Sequence, residues 1–155
     1  MSGGEPDSRL AVDVASETGR LPVSRRAVGD AARAVLRGER VSHALLSVSF
    51  VTRRAIAALN RKHLGHRGPT DVITFALGRA GAHGPVVGDV YVCPDVAREN
   101  ARRLKVPVRE ELLRLVVHGV LHALGYEHPE GAERTGSALW KKQERYVARL
   151  ARGAA

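Results

Sequence analysis

Several residue types are scarce in this sequence, and each shortage excludes a class of protein. Its one cysteine, Cys93, cannot form an intrachain disulfide, so the 155-residue chain depends on an apolar core, in which Cys93 is expected to be buried. Aromatic residues make up 4% of the chain, too few for an RNA-binding sheet of stacked rings. No apolar run approaches the roughly 20 residues of a membrane span. We therefore expect a soluble cytoplasmic protein.

Acidic residues are also outnumbered. The chain has 25 lysines and arginines against 16 aspartates and glutamates, a net charge of +9, and most of the excess is arginine. A basic balance of this size favours a polyanionic partner, with RNA and DNA as the candidates. An arginine-rich solvated surface gives the same composition, so charge alone leaves both interpretations open.

Apolar spacing and turn residues predict strands and helices that alternate along one domain. Residues 1–8 contain glycine, proline and acids but no signal peptide pattern, so we expect a disordered tail followed by a single domain over residues 9–152. The order of elements indicates an α+β fold, with a mixed central sheet covered by helices and a hairpin between its last two strands. The predicted strands are 9–14, 43–51, 71–76 and 86–92, and the predicted helices are 24–37, 52–61, 94–104, 108–124 and 132–152.

The densest functional signal is a cluster of three histidines within eleven residues. His118 and His122 are four residues apart, which places them one turn apart on the same face of a helix. Gly125 can end that helix in a left-handed conformation and let His128 approach the pair. Three imidazoles with a fourth position open form a catalytic zinc site, although nickel, copper and iron accept the same ligands. A histidine pair alone is typical of a polar patch, but the full pattern favours one Zn²⁺ per chain.

This spacing is also that of zinc peptidases, but one residue of their motif is missing. Those enzymes carry a glutamate directly after the first histidine, where it activates water, and this chain has Gly119. We therefore expect a metal centre with an open position that does not belong to a peptidase of this kind. Glu127, beside His128, and Glu111, two turns before His118, are candidates for a base or for a side chain that orients an imidazole.

The histidine stretch and several upstream segments resemble a known family. Residues 118–128 read H-G-V-L-H-A-L-G-Y-E-H and resemble the H-G-x-L-H-L-x-G-Y-D-H signature of the YbeY family, bacterial metal-dependent endoribonucleases linked to 16S rRNA maturation and ribosome quality control. Residues 59–60 (L-N), 69–75 (P-T-D-V-I-T-F) and 88–90 (G-D-V) resemble its L-N, P-T-D-V-L-S-F and G-D-I blocks. The resemblance covers about residues 10–150. It implies an α+β fold with a zinc site at the end of a helix, in a basic cleft.

One family residue is absent from its expected position. Between the L-N and P-T-D-V blocks the family has an arginine, followed by glycine, that serves substrate binding or catalysis, and Leu64 stands there in this chain. Glu127 stands where the family has aspartate, which keeps the charge. The expected substrate-binding residues are the basic side chains nearby, Arg61, Lys62, His66 and Arg67, and the catalytic candidates are Glu127, Arg61 and Arg67.

The resemblance implies a single-strand-specific, zinc-dependent endoribonuclease that matures the 3′ end of 16S rRNA and takes part in ribosome quality control. Its partners would be rRNA and the small ribosomal subunit. Either a water molecule or the 2′-hydroxyl of the RNA can serve as the nucleophile, and the sequence leaves this choice open. Two other functions also stay open: a metal-dependent hydrolase of a peptide-like substrate, and a non-catalytic assembly factor stabilised by zinc.

Overall fold

The computed structural model describes residues 9–79, 81–127 and 137–153. Three sequence predictions lie outside these ranges: the disordered tail over residues 1–8, the position of His128, and the helical state predicted for residues 132–136. No helix within the described ranges is both long and apolar enough to cross a bilayer.

The described chain forms four strands and five helices in the predicted order. Most predicted elements are confirmed to within two residues, and the differences fall at their ends. The strands are β1 (Leu10–Ser16), β2 (Ala44–Phe50), β3 (Val72–Arg79) and β4 (Val86–Val92), and the helices are α1 (Arg25–Gly38), α2 (Arg53–Leu64), α3 (Pro94–Leu104), α4 (Val108–Ala123) and α5 (Ala138–Gly153).

The strands form one mixed sheet in the order β1-β2-β4-β3. β1 pairs with β2, and β2 with β4, in parallel, whereas β3 pairs with β4 as an antiparallel hairpin. The structure thus confirms both the predicted α+β class and the predicted hairpin. β3 lies at an edge of the sheet, between the helix that carries the paired histidines and the helix that ends in the basic segment.

Three predicted boundaries are wrong. Helix α5 begins at Ala138 rather than at residue 132, because Ser137 forms a bend and its Oγ accepts the N–H of Trp140 as an N-cap. Helix α2 continues to Leu64, three residues beyond its expected end, because Gly65 adopts a left-handed conformation (φ +70°) only at that point and ends the helix there. His63 and Leu64 are therefore helical rather than part of a loop. Strand β3 runs to Arg79 instead of residue 76, since a register shift between Ala76 and Gly78 lets the hairpin continue past the glycine.

The sheet carries helices on both faces. On one face, Val90 of β4 and Leu46 of β2 belong to a large apolar core with helices α1 and α4. On the other face, Ile73 of β3 packs with Ile56 of α2 in a smaller cluster that also contains Cys93, which is fully buried as expected. Neighbouring residues on a strand point to opposite faces. Helices α4 and α2 therefore lie on opposite faces of the β3–β4 hairpin.

Candidate metal centre

Helix α4 brings two of the three predicted ligands together. His118 and His122 are partly exposed, whereas the residues around them, such as Val117 and Leu121, are buried in the core. Their ring centroids are 4.6 Å apart and the ring planes meet at 66°. The four-residue spacing on a helix with a well-buried apolar face thus holds both imidazoles on one side of α4.

The helix ends as the sequence predicts. Gly125 has a φ of +102°, and its N–H donates to the carbonyl of His122 at 2.9 Å, while the N–H of Tyr126 donates to the carbonyl of Leu121 at 3.1 Å. These two bonds form a Schellman motif, which satisfies the last carbonyls of the helix and reverses the chain. Glu127 follows as an exposed residue immediately before His128.

His128 lies outside the described residues. Among residues 9–79, 81–127 and 137–153, no group of three histidine, cysteine, aspartate or glutamate side chains is placed to bind a metal ion. The three-histidine ligand set therefore stays a prediction, and the structure supplies the geometry of its first two members.

The turn after α4 is anchored to a partly buried carboxylate. Tyr126 Oη donates to Glu39 at 2.7 Å, Tyr146 Oη donates to it at 2.6 Å, and Lys142 Nζ lies 3.0 Å from the same group. Burial by itself raises the pKa of Glu39, but the bonds from Tyr146, Tyr126 and Lys142 together lower the pKa below its ordinary value. Glu39 thus stays ionised and ties the turn to α1 and α5. No local sequence pattern indicates this anchor.

Gly119 has a packing role that the sequence did not reveal. A Cβ at this position would overlap Val90 Cγ1 and lie 3.2 Å from Thr74 Oγ1. Thr74 Oγ1 also lies 3.4 Å from the carbonyl of Gly119, so this turn of α4 rests directly on β3 and β4. The site of the peptidase glutamate is filled by the sheet, and a longer side chain cannot be placed there without moving the helix.

A buried amide on α5 contacts His118. Nδ1 of this histidine lies 2.6 Å from Oε1 of Gln143, a residue of α5 that is only 3% exposed. Hydrogen bonding of one ring nitrogen to a neighbouring side chain is typical of metal-binding histidines, since it leaves the other nitrogen for the ion. The two imidazoles and this buried amide thus suit a divalent cation. The available signal for Gln143 was its position as a polar residue within the apolar stripe of the last helix.

The two glutamates considered as bases have different surroundings. Glu111 is 3% exposed, and it accepts bonds from Arg114 at 3.0 Å and from Asn100 at 3.3 Å. Burial raises the pKa of Glu111, and these bonds offset the effect only in part. Glu127 is exposed and next to the third predicted ligand. Of the two candidates, Glu127 is the one that is open to solvent.

The basic residues predicted to bind substrate lie on the surface around the end of α2. Asn60 is buried and closes this segment, because its Nδ2 donates to the carbonyl of Gly68 at 3.0 Å. Leu64, at the position of the family arginine, is 49% exposed. Arg61 and Lys62 occupy the last turn of the helix, His66 and Arg67 follow it, and all four are exposed.

The edge strand β3 separates these basic residues from the histidines. On the α2 face, the ring of His63 contacts Phe75 with a centroid distance of 5.1 Å. On the α4 face, Thr74 lies against Gly119, one residue from His118. A ligand that touches both the basic segment and the histidines would therefore span the edge of the sheet.

A cavity of about 560 Å³ opens at the same edge, beside the turn that follows α4. Its walls combine the end of β3 with the end of α4, and the residues that line it include Ala76, Arg79, Leu124 and Tyr126. The lining carries both a positive charge, at Arg79, and a negative one, at Glu39, and the cavity lies next to the end of the histidine helix.

Comparison with known proteins identifies the family. The family model for Endoribonuclease YbeY matches residues 13–151. A protein named Endoribonuclease YbeY from Frankia alni is 37% identical over 150 residues, which cover 90% of this chain and 82% of that protein. Its namesake from Thermotoga petrophila is 38% identical over 102 residues, which cover 66% of this chain and 65% of that protein.

A solved structure has the same fold. The solution structure of TM1509 from Thermotoga maritima matches with a TM-score of 0.57 and 28% identity, covering 90% of this chain and 88% of that one. The family match extends from β1 almost to the end of α5 and includes both described histidines, the turn at Gly125 and the basic segment. The chain therefore belongs to the Endoribonuclease YbeY family.

Proposed function

We propose that this chain is an endoribonuclease that cleaves RNA phosphodiester bonds at a zinc centre formed by His118, His122 and His128. The observation that carries the proposal is the pair of adjacent imidazoles on α4, followed by a Schellman turn that leads directly to a third histidine. Its relatives are named endoribonucleases, and the net charge of +9 suits a polyanionic substrate.

The histidines would hold the ion, and the rest of the site would hold the RNA. A zinc ion bound there supplies Lewis acidity and lowers the pKa of a bound water toward about 7. Arg61, Lys62, His66 and Arg67 bind the phosphate backbone on the far side of β3 and stabilise the negative charge that develops during cleavage. Glu127 is available to accept or donate a proton at the edge of the site.

Packing at Gly119 supports RNA rather than peptide as the substrate. A peptidase of this spacing needs a carboxylate at that position, and the contact with Val90 leaves no room for one. An RNA substrate carries its own nucleophile in the 2′-hydroxyl, so cleavage can proceed without such a carboxylate.

The cellular role follows from the same proposal. We place the protein in the cytoplasm, acting on single-stranded RNA at the 3′ end of 16S rRNA, in contact with the small ribosomal subunit and in ribosome quality control. A site that spans the edge of a sheet, with basic residues on one side and histidines on the other, suits an extended single strand better than a wide duplex.

Cleavage of a 16S rRNA 3′-end fragment tests the activity. We expect wild type and His43→Ala to cut the fragment, and His118→Ala to lose at least a hundredfold in rate. His43 is a suitable control because it precedes β2, and its carbonyl accepts a backbone bond from Val86. Equal rates for wild type and His118→Ala would contradict the proposal and indicate a contaminating ribonuclease. A fragment with 2′-deoxyribose at the cut position separates the two nucleophiles, since only water still attacks it.

A further inference from the structure

Gln143 is buried in the interface between α5 and α4, where each of its polar atoms has a partner. Its Oε1 lies 2.6 Å from His118 Nδ1, and its Nε2 donates to Glu144 Oε2 at 2.9 Å. A buried amide without partners is costly, so these two bonds strongly restrict how the side chain can be arranged.

The partner on the far side determines which way the amide points. An ionised carboxylate only accepts hydrogen bonds, so the group that faces Glu144 must be the NH₂ of Gln143. The amide oxygen then faces His118, and an oxygen can only accept. The proton of a neutral His118 is therefore placed on Nδ1, and the lone pair that can bind a metal is on Nε2.

Glu144 is in turn held by a shared arginine. Arg114 Nε and Nη2 donate to the two carboxylate oxygens of Glu144 at 2.9 and 3.1 Å, a bidentate arrangement with a defined geometry. The same guanidinium donates to Glu111 and to Glu110, each at 3.0 Å. Burial by itself lowers the pKa of Arg114, but its carboxylate partners raise the pKa overall, so the guanidinium stays charged.

The network continues to the sheet. Glu111 accepts from Asn100 Nδ2 at 3.3 Å, and the same nitrogen lies 3.0 Å from Asp71 Oδ2, directly before β3. Asn100 is nearly buried, and the carbonyl of Asp71 accepts the N–H of Cys93 at 2.9 Å. A chain of polar contacts thus connects the start of the edge strand, through α3, α4 and α5, to the first predicted metal ligand.

We propose that Gln143 is a positioning residue for His118, kept in one orientation by Glu144 and Arg114, and that it holds the imidazole in the tautomer whose Nε2 faces the metal. The inference rests on the proposed metal centre, because only a ligand histidine requires that tautomer. It extends the site from α4 to α5.

Three variants test this role. Gln143→Met keeps the length of the side chain but removes the acceptor, Gln143→Asn keeps an amide on a shorter side chain, and Arg145→Met on the exposed side of α5 is the matched control. The tautomer of His118 is determined from imidazole ¹⁵N chemical shifts of the metal-free chain. These are recorded at a pH well above the ordinary histidine pKa of about 6.5, where the ring is neutral. Zinc affinity is measured separately by competition with a chelator.

We expect wild type and Arg145→Met to place the proton on Nδ1 and to bind zinc alike. Gln143→Met should show a mixture of tautomers and bind zinc about 10- to 100-fold more weakly. If Gln143→Met does not fold, Gln143→Asn, whose acceptor is too short to reach His118, is expected to behave in the same way.

The outcomes separate this inference from the function on which it rests. Unchanged tautomer and zinc affinity in folded Gln143→Met or Gln143→Asn would overturn the positioning role and leave the metal centre intact. A wild-type chain with the Nδ1 proton but no measurable zinc affinity would support the orientation by Gln143 while overturning the metal centre.

Discussion

Gly119 shows how one missing side chain affects both packing and chemistry. The backbone of α4 contacts β3 and β4 closely here, with Thr74 Oγ1 3.4 Å from the carbonyl of Gly119. The absence of a Cβ permits this approach, and the approach keeps His118 at a fixed depth beside the sheet. The residue that argues against a peptidase is therefore also part of the core.

Replacing Gly119 with alanine should destabilise the protein through a clash with Val90. Overpacking costs about 1–3 kcal/mol, partly offset by the roughly 1 kcal/mol by which alanine is the better helix former. We expect Gly119→Ala to lower the free energy of unfolding of the metal-free chain by up to about 2 kcal/mol in urea titrations.

A double-mutant cycle identifies the cause of that loss. In a Val90→Ala background the clashing methyl groups are absent, so adding Gly119→Ala should be neutral or stabilising. An equal loss of stability in both backgrounds would contradict the assigned contact.

Glu39 gives a residue-scale prediction with a defined pH dependence. Because bonds from Tyr146, Tyr126 and Lys142 lower its folded-state pKa, its charge stabilises the fold above the unfolded-state pKa of about 4.3. That contribution is lost as the pH falls through the folded-state pKa. Glu39→Gln should therefore cost about 1 kcal/mol at pH 7, and the difference from wild type should shrink toward zero in acid.

The measurement is urea unfolding of wild type and Glu39→Gln across the acidic range. Glu17→Gln, on an exposed bend after β1, controls for the loss of one negative charge. A difference that stays the same at pH 7 and in acid would show that shape, rather than charge, explains the effect.

At the scale of elements, the turn after α4 sets the direction of the chain immediately before the third predicted ligand. Gly125 ends the helix at a positive φ, and Tyr126 fixes the outgoing chain to Glu39. Gly125→Ala should cost about 1 kcal/mol, because alanine tolerates this conformation poorly. It should also weaken zinc binding, since the turn leads to His128.

Gly65→Ala is the matched control for that prediction. Gly65 also ends a helix at a positive φ, and a Cβ there meets no atom within 4 Å, as at Gly125. We expect a similar loss of stability, measured by thermal unfolding, with unchanged zinc affinity in chelator competition. Equal zinc affinity for both alanine variants would contradict the role given to the Gly125 turn.

Local sequence patterns predict a helix or a strand well where its conformation depends on residues that are near each other in the sequence. The histidine pair on α4 and the glycine after it follow from spacing alone, and both are confirmed. The end of α2 could not be predicted, because its last turn is exposed and polar, and Gly65 alone ends it. Gln143 and Glu39 were missed as well, since their partners His118 and Tyr126 are remote in the chain.

At the scale of the whole molecule, the sheet brings together segments that the sequence separates. The α+β class and the β3–β4 hairpin could be predicted, but the order β1-β2-β4-β3 could not, because local periodicity does not select the partner of a parallel strand. That order makes β3 an edge strand. The division of the site between its two sides is a property of the topology rather than of any motif.

The excess of positive charge predicts a strong dependence of RNA binding on salt. Each phosphate contact contributes roughly 0.7 to the slope of log K against log salt for a single strand. We expect the double variant Arg61→Ala with Arg67→Ala to reduce that slope by about 1.4 in fluorescence anisotropy with a single-stranded RNA. Arg26→Ala, whose side chain is 92% exposed on α1 next to the opposite edge strand, should leave the slope within about 0.3.

The central claim is that three histidines form one metal centre on which RNA cleavage depends. Titration of the metal-free chain with zinc, with metal content and cleavage rate read in the same samples, tests it most directly. The account predicts that wild type and His43→Ala reach full activity at one zinc per chain, whereas His128→Ala loses tight zinc binding and cleavage together. Full cleavage by the metal-free chain, or unchanged zinc binding and cleavage in His128→Ala, would contradict it.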